Sequence, residues 1–321
     1  MAFFSIVMPA YKVEKTLKKA IDSILSQSFY DFELIIVDDF SPDDSGKIAE
    51  DASKLDKRIK VIHNDKNKGL AESRNVGLLH ASGVVVGFVD SDDYLAEDAL
   101  LEVYKQFDDS VDAVLFSYFR IERSSTFPVQ LHQCSTSMVK ELLCADEIQS
   151  FAWNKYIRRE RLPNNLFPRG QKFEDFYVFP DLFWNFKTVR VIQKPLYFYN
   201  CINDSSITKN MDSLSYFDLW LAFYKNEKIL EKKGKDSNLL NLTKEKTFFV
   251  LTRCLCLNSV DARLCNSQKK QLNKYLLQCI KEKRIISLKR KIFTILNLFG
   301  MNAIIAYYVQ NKGLVEYFKK Y

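Results

Sequence analysis

Four apolar runs, at residues 3–9, 32–37, 59–63 and 84–89, are each followed by a stretch that reads as helix, and this alternation limits the folds open to the chain. Behind the first run, Leu17, Ala20, Ile21, Ile24 and Leu25 recur at the spacing of one helix face. Ser45-Gly46-Lys47-Ile48-Ala49 reads as a second helix start, residues 69–81 as a third helix and residues 96–107 as a fourth. Strands that are largely apolar on both faces need cover on both. A mostly parallel α/β sheet with helices on either side is therefore expected.

Ligands of such open sheets lie beyond the carboxyl ends of the strands. Two acidic clusters fall there, Asp38-Asp39-Phe40-Ser41 and Asp90-Ser91-Asp92-Asp93. One cluster alone reads as turn and helix-cap residues. Two on one rim repel each other unless a cation or a donor-rich ligand sits between them. Mg²⁺ is usually held by one or two carboxylates plus substrate phosphates, so a metal-nucleotide site is expected. A phospho-receiver domain also opens on an apolar strand ending in paired aspartates. It needs a phosphoacceptor Asp ending a middle strand and a lysine ending a later one. Here the third run ends in His63-Asn64-Asp65, no lysine is well placed after residues 113–119, and the chain is too long for a receiver alone.

With 321 residues, 47% hydrophobic and 27% charged, the composition is that of an ordinary soluble globular protein and excludes disorder, collagen and small disulfide scaffolds. Beyond Asp112, residues 113–119, 188–192 and 196–199 read as three more strands, with loop or short helix between them. From about residue 212 the pattern is helical, and polar residues 203–210 mark the boundary. The expected domains are residues 1–210, with halves 1–110 and 111–210, and a helical region 211–321. Seven cysteines without a CxxC pair suggest a reduced cytosolic chain, and residues 1–8 lack a basic targeting region.

Four segments carry a family resemblance: Ser5-Ile6-Val7-Met8-Pro9-Ala10-Tyr11, residues 36–45 (IVDDFSPDDS), residues 67–77 (NKGLAESRNVG) and Phe88-Val89-Asp90-Ser91-Asp92-Asp93. In order and spacing they resemble the successive motifs of family 2 glycosyltransferases. Trp153-Asn154-Lys155-Tyr156, Phe167-Pro168-Arg169-Gly170, Phe173-Glu174-Asp175-Phe176, and Leu196-Tyr197-Phe198-Tyr199 with Ser205-Ser206-Ile207-Thr208, look like the acceptor half of its bacterial surface-polysaccharide branch. The resemblance implies a GT-A (Rossmann-like) fold, a nucleotide-sugar donor that is UDP-linked by default, Mn²⁺ or Mg²⁺, and inversion at the anomeric carbon. It places Pro9, Tyr11, Asp38, Asp39, Arg74, Asp90 and Ser91 at the nucleotide-sugar. Asp90 and Asp92 are implied at the metal, with Asp93 leaving the ligand choice open. Asp175 is implied as the catalytic base, and Glu174 is the next candidate. Against that role stands a plain one, in which the Glu174-Asp175 pair complements a helix dipole. Phe40 stands where the family usually has Gly, and Pro42 where it often has Thr. The processive Q/RxxRW signature is absent, which implies one sugar added per binding event.

Trp153 reads as core, His63, His80 and His132 as surface or core residues without metal spacing, and residues 173–186 as a buried helix broken by Pro180. The formal charge of +7 is concentrated in residues 281–321, which carry nine basic residues against two acidic ones. Residues 281–291 hold six positive charges, and residues 292–309 follow without any charge. Asn297, Gly300 and Asn302 interrupt that stretch, so amphipathic helices on the inner face of the cell membrane are expected in preference to a spanning segment. A helical lid and a nucleic-acid contact are the alternatives for the tail, and nucleic acid is not an expected partner. The acceptor implied is a saccharide or lipid-linked oligosaccharide for capsule or lipopolysaccharide. A noncatalytic sugar-nucleotide or membrane-binding protein on the same fold is the competing class.

Overall fold

The computed structural model describes residues 2–131, 139, 142–143, 150–202, 211–233 and 236–282. His132, the 203–210 boundary, Ser205-Ser206-Ile207-Thr208 and the basic tail from residue 283 lie outside them. The chain divides into two compact units, Met1–Asp204 and Ser205–Tyr321.

The described strands of the first unit form one sheet: β1 (Phe4–Ala10), β2 (Phe32–Asp38), β3 (Ile59–His63), β4 (Val85–Phe88), β5 (Tyr94–Leu95), β6 (Ala113–Ile121), β7 (Thr126–Val129), β8 (Lys155–Arg158) and β9 (Val189–Asn200). Their order is β3-β2-β1-β4-β8-β6-β9-β5, with β7 on β6. β3, β2, β1 and β4 are parallel, as the alternation with helices expects. β8 then joins β4 to β6 in antiparallel pairing, and β9 runs parallel to β6. All seven residues of β1 and of β2 are buried, which is why neither alternates polar with apolar.

The helices of this unit are α1 (Leu17–Leu25), α2 (Ser45–Leu55), α3 (Leu70–His80), α4 (Ala99–Tyr104) and α5 (Glu174–Phe183). α3 lies close on the sheet because Gly77 faces it: a Cβ there would stand 2.3 Å from Val7 Cγ1. That approach sets the height of Arg74, one turn earlier, above the strand ends.

Three expectations are corrected. Residues 188–192 and 196–199 are one strand, β9, whose register with β6 shifts around Ser117, opposite Pro195. An irregular ladder tolerates the proline that suggested a break. Pro180 lies inside α5 without ending it, deleting one i→i−4 bond from a helix otherwise held by buried aromatic residues. The region read as loop or short helix between β6 and β9 also contains strands β7 and β8.

In the second unit, α6 (Ser213–Lys233), α7 (Ser237–Asp261) and α8 (Asn266–Lys281) bear out the helical reading. Trp220, Leu251, Cys254, Leu272 and Leu276 are buried there, and the Asp236 side chain caps α7. Among the described residues no helix is long and apolar enough to cross a membrane.

Candidate active site

The ends of β1 and β2 form the first part of the site. The Asp39 N–H donates to the Ala10 carbonyl at 2.9 Å, locking the two strand ends together. The buried Asp39 carboxylate accepts from Asn64 Nδ2 (2.8 Å), the Lys68 N–H (2.8 Å) and the Gly69 N–H (2.7 Å). Gly69 has φ of 86°, which lets the loop after β3 turn its amides onto that carboxylate before α3 begins. Three donors orient Asp39 and leave acceptor capacity on Oδ2, the arrangement needed to read an N–H of a ligand. Tyr11 stands partly exposed beside it, and Pro9 is buried in β1 opposite Val37.

Asp38 has other partners. Its Oδ1 accepts from the Ser41 N–H at 3.1 Å, and its Oδ2 lies 2.9 Å from His63 Nδ1. His63 Nε2 reaches Glu50 Oε1 at 2.8 Å, so the ring bridges the end of β3 to α2. These bonds to Glu50 and Asp38 raise the His63 pKa above that of a free imidazole.

The loop after β4 carries the second cluster. Asp93 is buried, accepting from Tyr197 Oη at Oδ2 and from the Asn200 N–H at Oδ1, each at 2.7 Å. Tyr197 Oη also accepts from the Asp90 N–H at 3.1 Å, and Asn200 Nδ2 donates to the Asp92 carbonyl at 3.3 Å. Burial, together with the nearby Asp92 and Asp90, raises the Asp93 carboxyl. Asp93 is therefore a brace between this loop and β9. Asp90 and Asp92 remain half-exposed, while Ser91 is buried.

Arg74 joins this loop to α5. Its guanidinium is buried, with Nη2 donating to Asp90 Oδ1 at 2.7 Å and Nη1 to Glu174 Oε1. Among the described residues, the buried Arg74 Nε has no hydrogen-bond partner. Asn75, the next residue of α3, holds the loop before α5 by exchanging hydrogen bonds of 2.8 and 2.9 Å with the Phe167 carbonyl and N–H.

Glu174 and Asp175 occupy the first turn of α5, so the helix-start placement and the catalytic candidate coincide. Asp175 remains half-buried, its Oδ1 accepting from the Phe176 N–H at 2.7 Å. Burial raises its pKa, and the charges of Arg74 and Lys155 oppose that rise. Lys155 on β8 is wholly buried, donating to the Phe151 carbonyl (2.5 Å) and Asn154 Oδ1 (2.6 Å). Its Nζ lies 5.1 Å from the Phe179 ring centroid, one turn beyond Asp175 on α5. Burial pulls the ammonium down to about 7, with Asp175 opposing.

Trp153 is core, as read: its ring stacks on Tyr197 at 4.4 Å and on Phe151 at 4.6 Å. The sequence reading gave no role to Asn64, Lys155, Tyr197 or Asn200. The available signals were an asparagine directly after β3 and a lysine inside the aromatic segment from Phe151 to Tyr156.

Residues 5–173 match the family profile described as Glycosyl transferase family 2. The chain belongs to glycosyltransferase family 2. This glycosyltransferase is 32% identical over 267 residues to the putative glycosyltransferase EpsH of Bacillus subtilis (strain 168), covering 79% of this chain and 76% of EpsH. Its fold is similar to that of S. aureus TarS 1–349 in complex with UDP-GlcNAc, with a TM-score of 0.66, 19% identity, and coverage of 98% and 92% of the two chains. Mannosyltransferase PcManGT from Pyrobaculum calidifontis, in complex with GDP-Man and Mn²⁺, shares it at a TM-score of 0.53 and 15% identity, over 96% and 86%. The family 2 glycosyltransferase thus has the expected GT-A fold.

Proposed function

We propose that this enzyme transfers one sugar, with inversion, from a UDP-sugar to a saccharide or lipid-linked acceptor of a bacterial surface polysaccharide. The observation that carries this reading is Arg74, whose guanidinium ties Asp90 of the acidic loop to Glu174 at the start of α5. A donor diphosphate at the acidic loop would then lie close to the acceptor-side carboxylate Asp175. TarS with UDP-GlcNAc supports a UDP-linked donor, and the second set of sequence motifs supports the acceptor class.

Asp90 and Asp92 offer hard carboxylate oxygens that fit a divalent cation, whereas both Asp93 oxygens are committed to β9. The described residues contain no group of three or more His, Cys, Asp or Glu side chains placed to hold a metal, so diphosphate oxygens would complete the coordination. A bound Mn²⁺ or Mg²⁺ would offset the negative charge that develops on the leaving diphosphate. Asp39 and Tyr11 receive the base, and Arg74 steadies Asp90 while Glu174 balances its charge. Asp175 takes the acceptor hydroxyl proton as that oxygen attacks the face opposite the diphosphate. Glu174 is committed to Arg74, which leaves Asp175 as the base. The basic tail would hold the enzyme at an anionic membrane surface, near a lipid-linked acceptor.

Thermal stabilisation tests the donor and metal together, because a ligand that binds only the native state raises apparent stability. UDP should stabilise the enzyme markedly more with Mn²⁺ than with EDTA, and Asp92→Ala should erase the difference. Equal stabilisation with and without metal would remove the metal from the reading.

A further inference from the structure

Phe40 is 60% exposed and has φ of 61°, in the left-handed region. Both features are unfavourable for this residue, since a large apolar ring faces water and its Cβ crowds the backbone. Glycine, which the family resemblance places here, adopts that conformation freely. Strained non-glycine residues persist mainly where a ligand contact or a switch makes use of them.

The location narrows what that use is. Ala10 and Asp38 are opposite partners in the parallel β1–β2 ladder, so Tyr11 with Asp39 and Lys12 with Phe40 leave the sheet side by side. The exits are tied by the Asp39 N–H bond to the Ala10 carbonyl and by the Lys12 N–H bond to Ser41 Oγ at 3.4 Å. Lys12 is left-handed too, at φ of 56°. Tyr11 is 40% exposed, and among the described residues neither Tyr11 nor Phe40 packs on another aromatic ring. Tyr11, with Lys12 Nζ 5.2 Å from its ring centroid, and Phe40 thus sit next to Asp39 on adjoining loops that are hydrogen-bonded together.

We propose that Phe40 is a second aromatic wall of the nucleobase slot, stacking on the donor base that Asp39 reads. The inference rests on the donor-site reading given above. A planar, partly apolar base would cover the exposed ring and offset the cost of the left-handed backbone. Glycine at this position would leave Tyr11 as the one aromatic wall, so this chain should hold its nucleotide more through the base and less through the diphosphate.

The test compares wild type with Phe40→Gly, Phe40→Ala and Phe40→Trp, using calorimetric titration with UDP, GDP, CDP and dTDP and melting of the free proteins. Phe40→Gly should melt above Phe40→Ala, because only alanine retains the left-handed penalty. Both should bind the preferred nucleoside diphosphate about 5- to 150-fold more weakly, the range of one base–aromatic stack. Phe40→Trp should retain affinity, and its indole emission should be quenched by the nucleotide and not by inorganic pyrophosphate. Wild-type affinity in Phe40→Gly and Phe40→Ala would overturn the wall and leave the donor site standing. Failure of wild type to bind any of the four nucleotides would instead overturn the donor reading, and the wall with it.

Discussion

Glu174 and Asp175 are neighbours in sequence with different surroundings. The first is closed off by Arg74, and the second turns a carboxylate oxygen onto the Phe176 N–H at the start of α5. Asp175→Asn preserves the size and most of the hydrogen bonding while removing the basic oxygen. Transfer should fall by about 10² to 10⁴, with UDP and metal binding nearly unchanged. The loss should appear in turnover more than in KM, since the proton leaves only as the transition state forms. Steady-state kinetics beside UDP calorimetry will check it, and a variant that loses UDP binding as well would place Asp175 among the donor residues. The paired aspartates at the strand ends and the buried acidic pair were legible in the sequence because strand ends and aromatic context are local features. The partners of those carboxylates were not. Tyr197 lies 104 residues from Asp93, and Glu174 lies 100 from Arg74, and no local periodicity records such pairings.

Among the elements, β1, β2 and β4 were readable because every residue of each is buried, giving largely apolar runs, while the edge strand β3, with only Ile59 buried, was readable from its place in the alternation with helices. β8 escaped notice for a physical reason: its four residues, KYIR, look polar, yet Lys155 and Tyr156 are buried in mid-sheet. The junction of β3 with α2 carries a pH dependence. Glu50 and Asp38 raise the His63 pKa above the unfolded value of about 6.5. The folded state therefore holds the proton more tightly, and this contribution is complete below about pH 6.5 and lost as pH rises through the folded pKa. The melting temperature of the wild type should fall over that interval, and that of His63→Gln should fall less. Parallel pH profiles for the two proteins would show that the bridge contributes nothing. High salt should weaken the effect, because the ring is partly exposed.

For the whole molecule, the basic stretch that begins at residue 281 invites a truncation after residue 282. The shortened enzyme should keep its stabilisation by UDP, because the residues assigned to the donor lie in the first unit, and should move from the membrane fraction to the soluble one. An insoluble product would favour a tail that packs on the protein, and release of the full-length enzyme by salt would mark electrostatic attachment. A different consequence follows from β9. This strand, late in the chain, supplies the hydroxyl and the amide that hold the acidic loop of the early part in shape. Recombination between relatives that exchanged only the first 110 residues would separate the loop from its support. Productive shuffling of sugar specificity in this lineage should therefore carry the two segments together, and hybrid enzymes built for new donors will need the partner strand as well as the donor half.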